Sequence, residues 1–372
     1  MSNRLPAFTR VLARSLGVSI DDLDAAFGPC QKKEIAEVSA LRTEVFGADI
    51  SPGDEDYLYW RYFSKDADKS TLLCLRHEGE IIAALGTEPC SVRVGEHIAE
   101  GVKCADAIVK PRFDGGGIGA WMNMVQMDRH DVVICIGGNT NSLSMLKKLF
   151  TGLPIRQDYK LPLGPMHLLL KKHSVAAPLW PLAPFADWLF RSWQAFRLRS
   201  ASDDPRVSRY GQIDELVSKM PPAARNRLGK KALVRSGPYL EWRYSPSSGR
   251  SYRFFGVETR GVLDAYVVAK VAGTGNASKR GLIMDWDYSN DDQGQSTFAA
   301  ILRVVIQEMV RTPVHMVQTT VNDPRSAHVL RSLGFLRRGE DSRFFVKVGN
   351  PDYQTLEQPD GWFVSLGDSD GV

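Results

Sequence analysis

The stretch VKPRFDGGGIGAWM, from Val109 to Met122, lies where a strand-like run is followed by a helical pattern. Its glycines permit positive φ angles and leave bare backbone for a ligand to approach. The start of the following helix adds unpaired N–H groups and about half a positive charge. We therefore predict that this turn binds an anion such as a pyrophosphate. It is neither a Walker loop, since no GK[ST] follows, nor a dinucleotide fingerprint, since no β-α-β context surrounds it.

The chain also repeats itself. DYLYWRY (Asp56 to Tyr62) returns as PYLEWRY (Pro238 to Tyr244), about 180 residues later. Two further pairs share about this offset, namely NTNSLSMLKKL from Asn139 with NDPRSAHVLRSLGF from Asn322, and Asp106 with Asp287. Three agreeing pairs predict two copies of one unit.

Each copy has the same coarse pattern: a helix, the aromatic hexad, a hairpin with a glycine turn, then alternating strands and helices that end in a closing strand or two. Antiparallel strands followed by β-α-β-α predict an α/β fold (a mixed α+β sheet) with flanking helices. The predicted organisation is an N-terminal extension 1–29, domain 1 at 30–172, a linker 173–204, domain 2 at 205–348 and a C-terminal tail 349–372.

The composition argues against several classes of protein. The chain is 43% hydrophobic and 24% charged, as is usual for globular proteins, and a net charge of +4 over 372 residues predicts no nucleic-acid partner. The five cysteines lack CxxC spacing and the seven histidines do not cluster, so no disulfide framework and no metal site are predicted. This cysteine usage favours a reducing, cytoplasmic location.

The linker contains a helical pattern with one apolar face, formed by Phe185, Trp188, Leu189, Trp193 and Phe196. We predict that this helix packs against one or both domains and fixes their orientation. The alternative is weak contact with a membrane surface through residues 184–199.

Copy one contains, in order, a strand, Val-x-Pro, Gly-x-Gly-Ile-Gly, a helix, a further strand and an Asn-led helix. This order resembles the GNAT (Gcn5-related N-acetyltransferase) superfamily, which uses acetyl-CoA or another acyl-CoA. The duplicated form with YLxWRY in each copy resembles bacterial tandem-GNAT proteins, some of them linked to polysaccharide biosynthesis. The resemblance covers roughly 30–165 and 205–348 and implies two tandem GNAT-like domains.

The resemblance also implies roles for residues. The strand ending at Val109 would pair with the pantetheine arm, the turn N–H groups would bind the pyrophosphate, and the Asn-led helix would lie beside the thioester. The implied cofactor-binding residues are Ala107, Ile108, Val109, Arg112, Gly115, Gly116, Gly117, Ile118, Gly119 and Asn141. The candidate catalytic residues are Asp106 as general base, Asn139 and Ser142.

The sequence departs from the family pattern in three places. Asp114 stands where Arg or Gln is expected, although Arg112 or Lys110 could still neutralise the phosphates. The tyrosine that many relatives carry on the Asn-led helix is absent. Copy two has NDDQGQSTFAA, from Asn290 to Ala300, in place of the glycine turn. Copy one is therefore the candidate active domain.

The leading prediction is an acyl-CoA-dependent acyltransferase, most simply an N-acetyltransferase, with an amine or hydroxyl acceptor such as a sugar or polysaccharide precursor. Two alternatives stay open. One is a non-catalytic tandem-GNAT protein for binding or assembly, and the other is a transferase that draws its acyl group from aminoacyl-tRNA. The sequence does not indicate an oligomeric state.

Overall fold

The computed structural model describes residues 4–47, 55–63, 70–138, 140–166, 183–198, 204–221, 228–273, 279–312, 314–341 and 343–369. The chain forms two compact units, and each unit collects segments from both halves of the sequence. Unit 1 comprises Met1–Leu153, Ser245–Arg250 and Ser342–Asp360, and unit 2 comprises Pro154–Tyr244, Ser251–Asp341 and Gly361–Val372.

Unit 1 is a mixed sheet with helices. Its helices are α1 (Arg4–Leu16), α2 (Ile20–Ala26), α3 (Ile35–Phe46), α4 (Glu55–Phe63), α5 (Ile118–Arg129) and α6 (Thr140–Leu149). Its strands are β1 (Phe27–Pro29), β2 (Leu72–His77), β3 (Glu80–Val94), β4 (His97–Val109), β5 (Val132–Ile136), β6 (Thr151–Leu153) and β15 (Phe344–Val348). They pair in the order β1-β2-β3-β4-β5-β15-β6, with β4 and β5 parallel and the other neighbours antiparallel.

Unit 2 repeats this plan. Its helices are α7 (Ala183–Leu198), α8 (Ile213–Val217), α9 (Gly237–Arg243), α10 (Asp292–Arg311) and α11 (Pro324–Ser332). Its strands are β7 (Arg156–Pro162), β8 (Val207–Tyr210), β9 (Lys231–Leu233), β10 (Tyr252–Thr259), β11 (Val262–Ala272), β12 (Arg280–Tyr288), β13 (Met316–Val321), β14 (Leu336–Asp341) and β16 (Trp362–Phe363). The main sheet has the order β14-β7-β13-β12-β11-β10-β8 with β12 and β13 parallel, and β9 pairs with β16. The predicted mixed α/β fold is confirmed.

The first hairpin of each copy closes in the same way. Glu78 and Gly79 join β2 to β3 with φ angles of 51° and 80°, and Arg260 and Gly261 join β10 to β11 with 54° and 78°. Two consecutive positive φ angles are the requirement of a type I′ turn, whose twist matches that of the strands. The predicted hairpins with glycine turns are thus confirmed in both copies.

The closing strands differ from the prediction. β7 follows the first copy in sequence, yet it lies in the sheet of unit 2 between β13 and β14. β15 follows the second copy, yet it lies in the sheet of unit 1 between β5 and β6. Each strand thereby pairs on both edges, which leaves fewer backbone groups unpaired than an edge position would. The boundaries predicted at 172 and 348 therefore do not coincide with the units.

The apolar face of α7 is also oriented differently from the prediction. Arg191 donates to the carbonyl oxygens of Thr312 and Val314 at 3.1 and 2.5 Å, and Asp187 accepts from the N–H of Met166 at 2.9 Å. The helix therefore packs on unit 2 through its polar residues. Its predicted apolar face is exposed to solvent.

Candidate active site

Strands β4 and β5 separate inside the sheet of unit 1. Their parallel pairing ends at Cys104 and Cys135, and no further pair joins them within the described residues. β4 nevertheless continues to Val109, paired with β3 on its other edge. Beyond β5, Gly137 and Gly138 have φ angles of 100° and 104°, which favour glycine. We call the gap beside residues 105–109 of β4 the β4–β5 opening.

The β4–β5 opening is accessible to solvent. Although β4 is an interior strand, Ala105 and Asp106 are only partly buried and Ala107 is exposed. The free edge of this strand can offer N–H and C=O groups to an extended ligand that carries amides of its own. The predicted ligand-pairing residues Ala107, Ile108 and Val109 all lie on this segment.

A bulge at Asp106 changes which side of the sheet its carboxylate faces. Four residues of β4, from Ala105 to Ile108, lie opposite three of β3, and Asp106 has a φ angle of 50°. Cys104 lies in the core cluster with Trp121 of α5, whereas Asp106 contacts α3 and α4. Cys104 and Asp106 therefore lie on opposite faces of the sheet, although unbroken strand alternation would place residues two apart on the same face.

Three side chains bind the Asp106 carboxylate, Arg61 and Tyr62 by hydrogen bonds and Arg42 by a salt bridge. Arg42 Nη1 lies 2.8 Å from Oδ1, Arg61 Nη1 lies 3.0 Å from Oδ2, and the Tyr62 hydroxyl lies 2.7 Å from Oδ2. Burial alone would raise the pKa of Asp106, but the charges of Arg61 and Arg42 and the Tyr62 hydrogen bond outweigh it and lower the pKa. Burial raises the pKa of Tyr62 well above its usual value, so its hydroxyl stays a donor. The carboxylate is thus ionised and held in place.

The charges continue behind Asp106. Arg61 also forms a salt bridge with Glu88, whose other oxygen lies 2.6 Å from Lys103 Nζ. The cluster of Arg42, Arg61, Lys103, Glu88 and Asp106 holds three cations and two carboxylates, and its guanidinium and ammonium groups are almost fully buried. These buried ion pairs hold Asp106 and its arginine partners in place behind the β4–β5 opening.

The repeated hexad supplies part of this cluster. On α4, Arg61 also hydrogen-bonds the Tyr57 hydroxyl, and Trp60 is buried. Tyr62 crosses β3 at Gly86, where an added Cβ would lie 2.1 Å from the Tyr62 hydroxyl oxygen. Gly86 thus provides the space through which Tyr62 reaches Asp106. The hexad is both core packing and the support of the site carboxylate.

The glycine turn begins α5. Gly117 occupies the N-cap position with a φ angle of 83°, and Gly115 has a φ angle of 81°. A glycine N-cap has no side chain to satisfy the first N–H groups of the helix. Among the described residues, no acceptor binds the N–H groups of Gly117, Ile118 and Gly119. Gly115 and Gly116 are exposed to solvent. This end of α5 is open to solvent, and the binding of a pyrophosphate there stays a prediction.

The departures noted in the sequence have local explanations. The Asp114 carboxylate accepts from the Gly115 N–H at 2.9 Å and so takes one donor from the turn. Arg112 and Lys110 both pair with Glu80, at 2.8 and 2.7 Å. These pairs are largely exposed and therefore weak, so either cation can exchange Glu80 for a phosphate at little cost.

The Asn-led helix α6 is described only in part. Asn139 lies outside the described residues, and for Asn141 only the helical backbone is described. A Cβ on Gly138 would lie 3.0 Å from Ser142 Oγ, so Ser142 is close to the end of β5. Ser142 is the predicted α6 residue that the structure places beside the β4–β5 opening. The roles assigned to these three residues stay predictions.

Unit 2 has the same separation of strands. The pairing of β12 with β13 ends at Leu282 and Gln318, and β12 continues to Tyr288. Here the C-terminal segment occupies the space: the Phe363 ring meets Trp286 edge-on at 5.6 Å, and Leu366 lies in a core cluster with residues of β12. Residues 281–288 are consequently all buried. Trp362 and Phe363 of the C-terminal segment are both buried.

The anion position of unit 2 is occupied as well. Asp291 is the N-cap of α10, and its carboxylate accepts from the Gly294 N–H at 2.7 Å. This carboxylate satisfies the helix end where unit 1 has only Gly117. The structure thus supports the prediction that the second copy lacks an anion site.

The pairing of Asp106 with Asp287 needs correction. Tyr244, the equivalent of Tyr62 in the hexad, donates to Asp285 at 3.2 Å. Asp285 also accepts from Arg235 at 2.7 Å, and Arg235 forms a second salt bridge with Asp368 at 2.9 Å. Asp285 is therefore the counterpart of Asp106, because bulges in β4 and β12 shift the count of residues between the two copies.

Comparison with solved structures gives the fold a name. The chain resembles a GCN5-related N-acetyltransferase from Anabaena variabilis (TM-score 0.54, 10% identity, 87% of this chain and 72% of that chain). It resembles N-myristoyltransferase from Saccharomyces cerevisiae, solved with bound myristoyl-CoA (0.55, 11%, 91% and 84%). This is the GNAT fold. A GCN5-related N-acetyltransferase from Kribbella flavida gives similar values (0.52, 14%, 87% and 70%). No family model and no curated protein sequence gives a significant match.

The sequence did not identify the donors to Asp106. Arg42 carries no local motif, and its position on α3 becomes informative only once α3 lies beside β4. Arg61 and Tyr62 did carry a signal, because both belong to the repeated hexad, yet repetition alone does not separate a packing role from a site role. Among the described residues no cluster of three metal-ligating side chains occurs.

Proposed function

We propose that unit 1 is an acyl-CoA-dependent N-acyltransferase domain within a duplicated GNAT arrangement. The observation that carries the proposal is the contrast between equivalent places in the two units. Unit 1 has an accessible β4–β5 opening and a helix that begins at Gly117, whereas in unit 2 the opening holds Phe363 and the helix is capped by Asp291. The myristoyl-CoA bound to the yeast neighbour is consistent with an acyl-CoA donor.

The residues of unit 1 fit the parts of such a donor. The N–H groups at the start of α5 suit a pyrophosphate, since a helix N-terminus favours anions. The free edge of β4 from Ala105 to Val109 suits the amides of a pantetheine arm. These two features meet where β4 leads into α5, so one extended molecule can use both.

The acyl transfer needs few catalytic groups from the protein. The amine nitrogen attacks the thioester carbonyl carbon, the C–S bond breaks, the amine loses a proton and the CoA thiolate gains one. An ionised carboxylate has about four acceptor positions, of which Arg42, Arg61 and Tyr62 use three. We propose that Asp106 accepts a hydrogen bond from the amine through the remaining one.

The pKa of Asp106 determines its role in the proton transfer. The lowered pKa of Asp106 makes it a weak base, so in this proposal it orients the amine while water takes the proton. A sugar-type acceptor from polysaccharide synthesis stays a prediction of the family resemblance.

Release of the CoA thiol tests the proposal. Acetyl-CoA is incubated with a panel of primary amines, including amino sugars and diamines, and wild type is compared with Gly116→Asp and Gly116→Asn. Gly116 is exposed and its φ is not positive, so both variants should fold, and only Asp adds a negative charge beside the pyrophosphate. We expect amine-dependent thiol release by wild type and Gly116→Asn and at least about a tenfold loss in Gly116→Asp.

Two results would contradict the proposal. One is thiol release that stays at the uncatalysed rate with every amine, which would favour the non-catalytic alternative. The other is equal activity of the Asp and Asn variants, which would place the donor elsewhere.

A further inference from the structure

Helix α7 exposes an aromatic face. The described part of the chain has ten exposed large apolar side chains, and half of them lie on this helix, namely Phe185, Trp188, Leu189, Trp193 and Phe196. Their exposed fractions range from 49% to 73%. The spacing places them along one side of the helix over about 16 Å. Such a stripe is unusual on a surface that meets only water.

The opposite side of α7 packs on the rest of unit 2. Asp187 and Gln194 are buried, with exposed fractions of 7% and 3%, and Arg191 binds two carbonyl oxygens of unit 2. An amphipathic helix of a water-exposed protein normally buries its apolar side. Here the polar contacts fix the helix with its aromatic side outward, so the exposed stripe is held in place by specific bonds.

Charge indicates what covers the stripe. Residues 166–200 contain five basic side chains and one acidic one, Asp187, which is buried on unit 2. The basic residues are Lys171, Lys172, Arg191, Arg197 and Arg199. Trp and Phe beside Lys and Arg, without exposed acids, is the composition of helices that lie at an anionic lipid surface.

The dimensions of α7 suit a helix that lies on a membrane. Sixteen residues of helix extend about 24 Å, less than the roughly 30 Å thickness of the hydrocarbon core. Of the helices that the structure describes, none is long and apolar enough to cross a membrane. We infer that the Phe185–Phe196 face of α7 docks the protein on an anionic lipid bilayer, parallel to its plane. This inference is independent of the proposed function.

Vesicle flotation tests the inference with the full chain. Vesicles of phosphatidylcholine with and without phosphatidylglycerol are mixed with wild type, with the double variant Trp188→Ser/Trp193→Ser, and with Val262→Ser/Leu336→Ser. The second pair removes exposed apolar side chains elsewhere on unit 2, at 43% and 48% exposure, and serves as the control. We expect wild type and control to float with the anionic vesicles, and the tryptophan variant to bind at least about tenfold more weakly. Added salt should weaken binding of wild type.

Other results would overturn the inference. Wild type that stays with the soluble fraction, or a tryptophan variant that floats as well as wild type, excludes lipid docking through α7. Light scattering on the same samples tests whether a second copy of the chain covers the stripe instead. A wild-type dimer that the tryptophan variant loses, without flotation, would show that a second copy covers the stripe. Equal unfolding midpoints of all three proteins would exclude misfolding as the cause.

Discussion

At the scale of residues, one pair of equivalent arginines shows how the two units differ. Arg61 and Arg243 hold the same place in the repeated hexad, and both are buried. Arg61 pairs with Glu88 and Asp106, whereas Arg243 donates to the carbonyl oxygens of Gly367 and Ser369. A buried guanidinium needs acceptors, and each copy supplies them from different elements. The motif therefore predicts a buried arginine but does not predict which atoms it binds.

The pH dependence of stability tests the state of Asp106. Its pKa is lowered in the folded protein, so its contribution to stability is complete above the unfolded-state pKa of about 3.9 and is lost as pH falls through the folded value. Replacing it by Asn removes this contribution at neutral pH, at a cost of about 3 kcal/mol. We expect the stability difference between wild type and Asp106→Asn to shrink as pH falls below about 4.

Urea unfolding at a series of pH values measures this difference. The exposed Asp128, on α5, provides the control, and Asp128→Asn should change stability by no more than about 0.5 kcal/mol. A difference for Asp106→Asn that stays constant or widens towards pH 3 would contradict the ionised, doubly paired carboxylate.

At the scale of elements, the two openings differ by what fills them. In unit 2 Phe363 is 1% exposed, meets Trp286 edge-on and lies 4.9 Å from the Arg235 guanidinium. Truncating a buried phenylalanine to alanine removes packing and leaves a cavity. We expect Phe363→Ala to lower the free energy of unfolding by about 3–5 kcal/mol, measured by urea denaturation.

A matched truncation at the surface separates packing from a general effect of the substitution. Val262→Ala, at a position that is 43% exposed, should change stability by less than about 0.5 kcal/mol. If Phe363→Ala cost as little as the control, the C-terminal segment would not be a structural part of unit 2.

Some elements could be predicted from the sequence and others could not. The hairpins were predictable because Glu78–Gly79 and Arg260–Gly261 encode their turns locally. The exchange of β7 and β15 was not, because a strand carries no local record of its pairing partner. The orientation of α7 was missed for a related reason. Apolar periodicity marks one face of a helix, and the assumption that this face is buried fails when polar bonds hold the other face.

The site was predictable to a similar extent. The glycine turn was located correctly because the glycines that allow the turn and the pattern that begins the helix are adjacent in the sequence. The bulge at Asp106 was not, since strand alternation gave no reason to expect a φ angle of 50° there. The charge cluster combines Arg42, Arg61 and Lys103 from three separate elements, and only the fold brings such positions together.

At the scale of the whole molecule, two units share one fold but offer different sites. Unit 1 keeps the free strand edge and the uncapped helix that a nucleotide-type acyl donor requires. Unit 2 fills the equivalent places with its own residues, from the C-terminal segment and from Asp291. The two units thus differ in that one has an accessible opening and the other has an interior completed by protein. We therefore expect a single acyl-CoA site for each chain, located in unit 1.

Calorimetric titration of acetyl-CoA tests this claim most directly. Wild type is compared with Gly116→Asp and with Gln293→Asp, which adds the same charge at the exposed start of α10 in unit 2. A charge about 5 Å from a phosphate costs about 3 kcal/mol at an effective dielectric of 20 and less in water. The account predicts one site per chain, binding weakened at least about tenfold by Gly116→Asp, and no change with Gln293→Asp. No heat from wild type, two sites per chain, or weaker binding in Gln293→Asp alone would contradict it.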